Sequence, residues 1–426
     1  MGPPSFMLLA TSLSLAARVS ATADATAVTL TWETCVAEAL RANPSLRQAR
    51  ADLAAARDRR NAAFGGFLPR AGASLTASDG ATEKRLWYRD LNASWSARLT
   101  ASQSLFSGFA TLADVTRAAA AARLAAARAV QAEADVRQRL RRAFVDVLFG
   151  QANVEVQTAI ARRSLGNADL VRLRYEGGRE DKGSAMRAEA VARRAGFEEA
   201  RARRALTLAR RRLAQLLGRD AVGNLAVSGT WAVDAPPAAP DLDTLARVVP
   251  AVVEAESSVD EAHASVWSAV APFWPDLDAN ASAGRDGPGW FPDRTRNWSA
   301  GVSASWNLFN GGRDAFGLAA AREARESAEA GLAGARREAR TSLEAAWVGW
   351  QDADEELAVN RQFLEATRAR AEIGRAQYAN GRLGFQEWTQ IEDEVVSAER
   401  NEVAARRDAL NAEAGWREAL GRGFAE

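Results

Sequence analysis

The chain carries two hydrophobic rhythms. In four short segments, apolar and polar residues alternate one by one. Ala93, Trp95, Ala97, Leu99 and Ala101 interleave with Asn92, Ser94, Ser96, Arg98, Thr100 and Ser102. Trp298, Ala300, Val302, Ala304, Trp306 and Leu308 interleave in the same way with Asn297, Ser299, Gly301, Ser303, Ser305 and Asn307. Two shorter segments set Ala71, Ala73, Leu75 and Ala77 against Arg70, Gly72, Ser74 and Thr76, and Leu277, Ala279, Ala281 and Ala283 against Asp278, Asn280, Ser282 and Gly284. A period of two predicts strands with one apolar and one polar face. A half-buried strand of a soluble sheet fits this pattern as well as a membrane strand does. Two features favour the membrane. The segments approach the roughly 9–11 residues of a tilted transmembrane strand. Aromatic residues also gather at their ends, as in the interfacial girdles of barrels. Phe64, Phe67, Phe106, Phe109, Phe273, Trp274 and Phe309 lie on one side, and Trp87, Tyr88, Trp290 and Phe291 near the other.

The second rhythm is helical. No proline occurs from Phe106 to Tyr175, nor from Phe309 to Tyr378. At about 1.5 Å per residue such a helix reaches roughly 100 Å, several times the roughly 30 Å hydrocarbon core of a bilayer. Alternate steps of three and four from Leu112 to Tyr175 land on apolar residues, alanine the commonest, except at Glu133, Gly150, Gln157 and Ser164. This is a coiled-coil seam whose small side chains permit close helix approach, and its seven-residue period implies left-handed supercoiling. A turn and a return helix follow each long helix, over 184–217 and 385–420.

The two sets of elements are copies of one another. Leu105-Phe106-Ser107-Gly108 recurs as Leu308-Phe309-Asn310-Gly311, Tyr175-Glu176-Gly177-Gly178 as Tyr378-Ala379-Asn380-Gly381, Leu217-Gly218-Arg219 as Leu420-Gly421-Arg422, and Trp95 as Trp298, all at an offset of 203. Pro44 and Pro69 recur as Pro250 and Pro275 at 206. A surface loop between Pro69 and Trp95 absorbs the difference. Ordered matches at a nearly constant spacing define a duplication. The first repeat covers 24–218, with a β-hairpin at 69–105 and a helical hairpin at 107–218. A linker at 219–240 contains Pro236, Pro237 and Pro240. The second repeat covers 241–426, with a β-hairpin at 275–308 and a helical hairpin at 312–421. The fold class is mainly α with a small membrane β part.

Composition narrows the function. Lys and Arg total 55 against 54 Asp and Glu, a net charge of +1, without the basic excess of a nucleic-acid binder. One cysteine, Cys35, and one histidine, His263, offer neither an intrachain disulfide nor a zinc cluster. Cys35 reads as a partly buried helix residue. The preceding Trp32-Glu33-Thr34 lacks the small and aliphatic residues of a lipid-anchor site. Residues 6–17 are apolar and too short to span a membrane, and Ala21-Thr22-Ala23 has the form of a cleavage site, so 1–23 reads as a signal peptide, though 1–5 carry no positive charge. No later run has the length of a transmembrane helix. No P-loop, dinucleotide fingerprint or zinc-protease motif occurs. Asp276-x-Asp278-x-Asn280 begins like a calcium loop, but Ala281 and Gly287 stand where glycine and glutamate are required. His263 has no catalytic partners in the pattern. The reading is of a protein that is not an enzyme and needs no cofactor.

Four strands per chain cannot close a barrel, and an open edge in lipid leaves backbone groups unsatisfied. If the strands span the membrane, the chain must therefore oligomerise. A dimer gives eight strands and a filled interior, and a trimer gives twelve with room for an aqueous lumen.

This combination resembles the TolC-like outer-membrane efflux protein family nearly end to end. The marks are Asn43-Pro44 early in the first helix, Leu68-Pro69 before a strand, the two Leu-Phe-x-Gly strand ends, the two Tyr-x-x-Gly turns and the two Leu-Gly helix ends. The resemblance implies a homotrimer with a twelve-stranded barrel in outer-membrane lipid and a long helical barrel through the periplasm. It implies an exit duct of a tripartite efflux or type I secretion system, docked to a periplasmic adaptor and an inner-membrane pump. It places Tyr175, Gly178, Tyr378 and Gly381 at the adaptor-facing tip. In that family, acidic residues six and nine positions after the turn glycine can form a constriction. From Gly381 these positions are Glu387 and Gln390; from Gly178 they are Ser184 and Arg187. Only Glu387 keeps a carboxylate. The loops at 79–91 and 285–297 are expected outside the cell. The uncharged start of the signal and the short stretch after Gly421 depart from the family pattern. The alternative is a periplasmic adaptor or scaffold, which would have one central hairpin flanked by β-domains rather than a duplication.

Overall fold

The computed structural model describes residues 28–79, 81–84, 88–91, 94–219, 225–229, 232–288 and 295–424. The expected signal peptide lies outside the described residues. In chain order the elements are β1 (Val28–Leu30), α1 (Trp32–Ala42), α2 (Pro44–Ala63), β2 (Arg70–Ser78), β3 (Ala81–Lys84), β4 (Tyr88–Leu91), β5 (Ser94–Ser107), α3 (Ala110–Glu176) and α4 (Lys182–Leu216). Then follow β6 (Leu225–Val227), α5 (Leu242–Val248), α6 (Pro250–Val270), β7 (Asp276–Gly287), β8 (Thr295–Ser305), α7 (Arg313–Ala379) and α8 (Phe385–Ala419). The long helices have 67 residues each and the return helices 35 each. The bounds of each pair differ by the same 203 positions as the sequence motifs.

The sheet follows the alternation. Its strand order is β2-β5-β7-β8, antiparallel throughout. The register places Leu75 opposite Ala97, Leu99 opposite both Ala73 and Ala283, and Ala283 opposite Trp298. Directly opposed residues share a face, so one apolar face runs across all four strands. Ser74, Arg98, Gly284 and Asn297 align on the other. At Gln103-Ser104-Leu105-Phe106 the alternation of β5 fails. A bulge there lets Phe106 oppose Leu277 and rejoin the apolar face. No helix among the described residues covers either face. Every residue of β2 and β8 is exposed, Trp298 at 82%.

Three features of the chain path differ from the sequence reading, besides β8 ending at Ser305 rather than Leu308. Asn43-Pro44 does not lie inside a helix; it divides one. Pro44 has no N–H to continue the ladder, and Asn43 serves both ends. Its N–H donates to the Ala39 carbonyl, its Oδ1 accepts from the N–H groups of Ser45 and Leu46, and its Nδ2 donates to the Leu216 carbonyl at the end of α4. Pro250 divides α5 from α6 in the same way. Second, the segment 79–91 contains a paired ribbon, β3 with β4, instead of a plain loop. The centre of the other expected loop, 289–294, lies outside the described residues, while β7 and β8 extend into its flanks. Third, the linker contributes β6, which pairs in parallel with β1.

The described helices hold several buried clusters, and the two largest are equivalent. Leu140, Val147 and Leu213 centre the first, and Leu343, Trp350 and Trp416, at the same repeat positions, centre the second. Cys35 is fully buried in the first core, not partly as its sequence context suggests, and burial raises its thiol pKa to about 11. Two of the residues that interrupt the seam are buried in it. Gly150 lies under Leu206, where a Cβ would come within 3.0 Å of Leu206 Cδ1. Gln157 accepts a hydrogen bond from Arg400 at 2.9 Å. No helix among the described residues is long and apolar enough to cross a membrane.

Candidate functional site at the helical tip

The far ends of both hairpins turn by the same backbone device. Gly178 and Gly381 adopt left-handed φ of 69° and 73°. After α3, the Gly178 N–H donates to the Tyr175 carbonyl (2.9 Å) and the Arg179 N–H to the Arg174 carbonyl (2.8 Å). After α7, Gly381 and Arg382 donate to Tyr378 (3.0 Å) and Gln377 (2.8 Å). This C-cap requires a residue that tolerates positive φ. Nothing crowds Gly178, so the backbone angle alone fixes the glycine there.

The two tyrosines do different things. Tyr175 is 41% exposed and Tyr378 is fully buried. The Tyr378 ring stacks on Trp388 at 4.1 Å and 8°, with Phe385 beside both. The first repeat supplies the rest of its surroundings. The Arg174 guanidinium lies 4.6 Å over the ring and donates to the Tyr378 carbonyl (2.7 Å). The Tyr378 hydroxyl donates to Glu180 Oε2 (2.9 Å). Burial, reinforced by the bond to Glu180, pushes the phenol well above the ordinary tyrosine range. Sequence reasoning missed Arg174, Glu180, Phe385 and Trp388. A signal was available: where the second repeat has Phe385 and Trp388, the first has Lys182 and Ala185.

Above this latch, α3 and α8 are joined by a polar ladder. Arg163 donates to both oxygens of Glu399 (3.2 and 2.8 Å) and reaches Glu392 (3.4 Å), and Asn167 donates to Glu392 (3.0 Å). Glu399 is buried, so its pairing with Arg163 removes the large penalty of an isolated internal charge.

The candidate constriction residues are not brought together as one cluster. Ser184 is buried at the start of α4, where its N–H and Oγ both donate to the Asp181 carboxylate (3.0 and 2.6 Å). Those bonds, side chain before backbone, lower the Asp181 pKa. Glu387 is exposed in the first turn of α8, whose N-cap, Gly384, offers no side chain. Gln390 is exposed one turn further on. It lines a groove with Phe363, Asp393 and Arg187, the last reaching across from α4. Among the described residues, no group of His, Cys, Asp and Glu could hold a metal ion. His263 Nε2 faces Glu329 at 3.8 Å on the half-exposed surface of α6.

Strands that no described helix covers are thus joined to very long paired helices that end in glycine-capped turns. The outer membrane efflux protein family matches residues 35–219 and 244–422, one match per repeat, and the chain belongs to that family. It is an outer-membrane exit duct for efflux. Members of this family are channels rather than enzymes. Its fold is that of a membrane protein from Pseudomonas aeruginosa (TM-score 0.83, 19% identity, 91% of this chain and 93% of that one). It is also that of the outer membrane protein VceC from Vibrio cholerae (0.80, 21%, 92% and 96%) and of the open-state MtrE outer membrane channel from Neisseria gonorrhoeae (0.81, 19%, 95% and 94%). No curated protein matches the chain.

Proposed function

We propose that three copies assemble into a passive duct, with the four-stranded sheets closing a twelve-stranded barrel in outer-membrane lipid and the helices crossing the periplasm. The sheet carries this reading. Among the described residues its two edges are free and both faces are uncovered; one face is apolar except for Gln103 near one end and Arg285 and Arg296 near the other, and the opposite face is rich in Ser, Asn and Thr. Lipid satisfies the first face and a wet lumen the second, while edge-to-edge pairing with neighbours satisfies the backbone. The tip then faces inward. Tyr175, Gly178, Tyr378 and Gly381 present the turns to a periplasmic adaptor that links the duct to an inner-membrane pump, and Glu387 with Gln390 narrows the mouth. Neither nucleic acid nor a cofactor has a role.

Epitopes inserted at 79–91 and at 285–297 test the orientation. Antibody should reach both on intact cells, and mass measurement in detergent should give three chains. Protection of both epitopes in cells that export normally would reverse the orientation. A stable, fully inserted monomer or dimer would defeat the barrel.

A further inference from the structure

The apolar face of the sheet ends in a pair of charges that its pattern does not require. Along β7 the face reads Leu277, Ala279, Ala281, Ala283 and then Arg285; along β8 it reads Ala304, Val302, Ala300, Trp298 and then Arg296. The register sets the two arginines directly opposite each other, with Ala97 and Leu75 completing the row. Opposed residues have Cβ atoms roughly 5 Å apart, and like charges placed there repel. Neither guanidinium has a hydrogen bond or ion pair among the described residues. None of the paired residues on this face of the four-stranded sheet is a carboxylate. Asp286 belongs to the other face, where its carboxylate accepts from Asn297.

The row also has a definite depth. Leu277 opposes Phe106 at the end of the sheet nearest the helices, and Arg285 lies eight positions further along the strand. At about 3.4 Å per residue and a tilt of about 40°, that distance is roughly 20 Å along a barrel axis, close to the roughly 25 Å apolar band of membrane barrels. Trp298 lies one step inside the row and is 82% exposed, and Trp95 lies one step outside it, opposite Gly287. Tryptophans mark the membrane–water boundary in this way. The arginine pair therefore sits where headgroups begin, on the side away from the helices. A charge on the lipid face costs little at that depth.

We propose that Arg285 and Arg296 together bind the phosphate monoester of a lipid headgroup in the outer leaflet. A phosphate monoester carries a charge of about −1.5 to −2 and three acceptor oxygens at neutral pH. That matches two adjacent guanidiniums, each able to donate paired N–H bonds. A phosphodiester, with one negative charge, leaves the pair half neutralised. The acyl chains of the bound lipid run over Trp298, Ala283 and Val302, so one molecule meets both the charged row and the apolar strip beneath it. Both arginines come from one chain, giving one site per copy.

This assignment rests on the barrel reading above, which puts this face in lipid and this end outward. Native mass spectrometry of the delipidated protein in detergent, titrated with diphosphorylated lipid A, tests it. Arg285→Gln with Arg296→Gln should weaken binding about tenfold or more. Arg98→Gln, on the opposite face, should leave binding unchanged. Dephosphorylated lipid A, and phosphatidylglycerol with its single charge, should bind the wild type as weakly as lipid A binds the double variant. That comparison uses unaltered protein and holds even if the variant assembles poorly. Equal affinity of wild type and double variant for lipid A, or phosphatidylglycerol bound as tightly as lipid A, would overturn the site while leaving the barrel intact. Loss of binding in Arg98→Gln instead would put the polar face in lipid and remove the reading on which the site rests.

Discussion

The two tips share one backbone and differ in everything the backbone carries. Both end in the same glycine C-cap. At the first turn, Tyr175 projects into solvent, and Asp181 is engaged in capping α4. At the second, Tyr378 sits between an aromatic shelf from its own repeat and a cation and carboxylate from the other. The first repeat thus supplies the clamp and the second the clamped group. Duplication set the geometry, and later divergence assigned each copy a separate part. A buried tyrosine at one turn and an exposed tyrosine at the other follow at equivalent positions.

The strongest challenge to this comparison removes what the turns share. Gly178→Val with Gly381→Val forces β-branched residues into the left-handed region, at about 1–2 kcal/mol each. Export should be lost, with trimer and membrane levels intact. Normal export from this double variant would detach the tip from docking. A smaller and asymmetric effect should follow from the aromatics. Trp388→Ala removes a fully buried ring and should cost about 3–5 kcal/mol, while Tyr175→Ala should fall within about 0.5 kcal/mol of wild type. Hydrogen exchange at 374–392 reads the difference, and equal protection in the two variants would abolish the asymmetry.

Tyr378→Phe sharpens the same comparison. Loss of the hydroxyl bond to Glu180 should weaken the latch by about 1.5–3 kcal/mol, as for a bond to a charged acceptor. The pH dependence has a definite sign. The folded phenol holds its proton above the ordinary tyrosine range, so the latch is at full stability below that range and loses it as pH rises from there through the higher folded value. Alkaline absorbance titration should show a late-ionising tyrosine in the wild type that is absent from Tyr378→Phe. Identical titrations would mean that the hydroxyl is not held as described.

The legible part of this molecule was whatever repeats with a period. Alternation fixed the sheet register, because a slip of one residue would exchange its faces. The proline-free runs gave the long helices, since only continuous hydrogen bonding fills such a length. What escaped depends on contacts distant in sequence. β1 and β6 are three residues each and pair across the whole first repeat; neither has enough residues to establish a rhythm. The break at Asn43-Pro44 shows in the sequence as a proline, but the bond from Asn43 to the Leu216 carbonyl, 173 positions away, does not. The burial of Tyr378 depends on Arg174 and Glu180, some 200 positions away, and a local motif that also fits the exposed Tyr175 could not distinguish them. Comparison of the repeats, position by position, would have marked Phe385 and Trp388 as the residues that separate the two turns.

The smallest expected effect concerns Glu387, the one carboxylate at the positions proposed to narrow the mouth. In the first repeat the nearby carboxylate, Asp181, is engaged by Ser184. In the second, Gly384 caps α8 without a side chain, and Glu387 stands free in the first turn. Three copies would place three such carboxylates around a narrow opening, where like charges attract cations from both sides. The positive end of each α8 dipole opposes this, and Arg187 lies in the neighbouring groove, so the resulting cation preference should be modest. Glu387→Gln should therefore reduce, rather than invert, cation selectivity in planar bilayers and weaken block by divalent ions, with conductance otherwise retained. Unchanged selectivity and block would make Glu387 a solvated helix residue. The two tips would then differ only in the latch, and the narrowing would have to come from side-chain bulk alone.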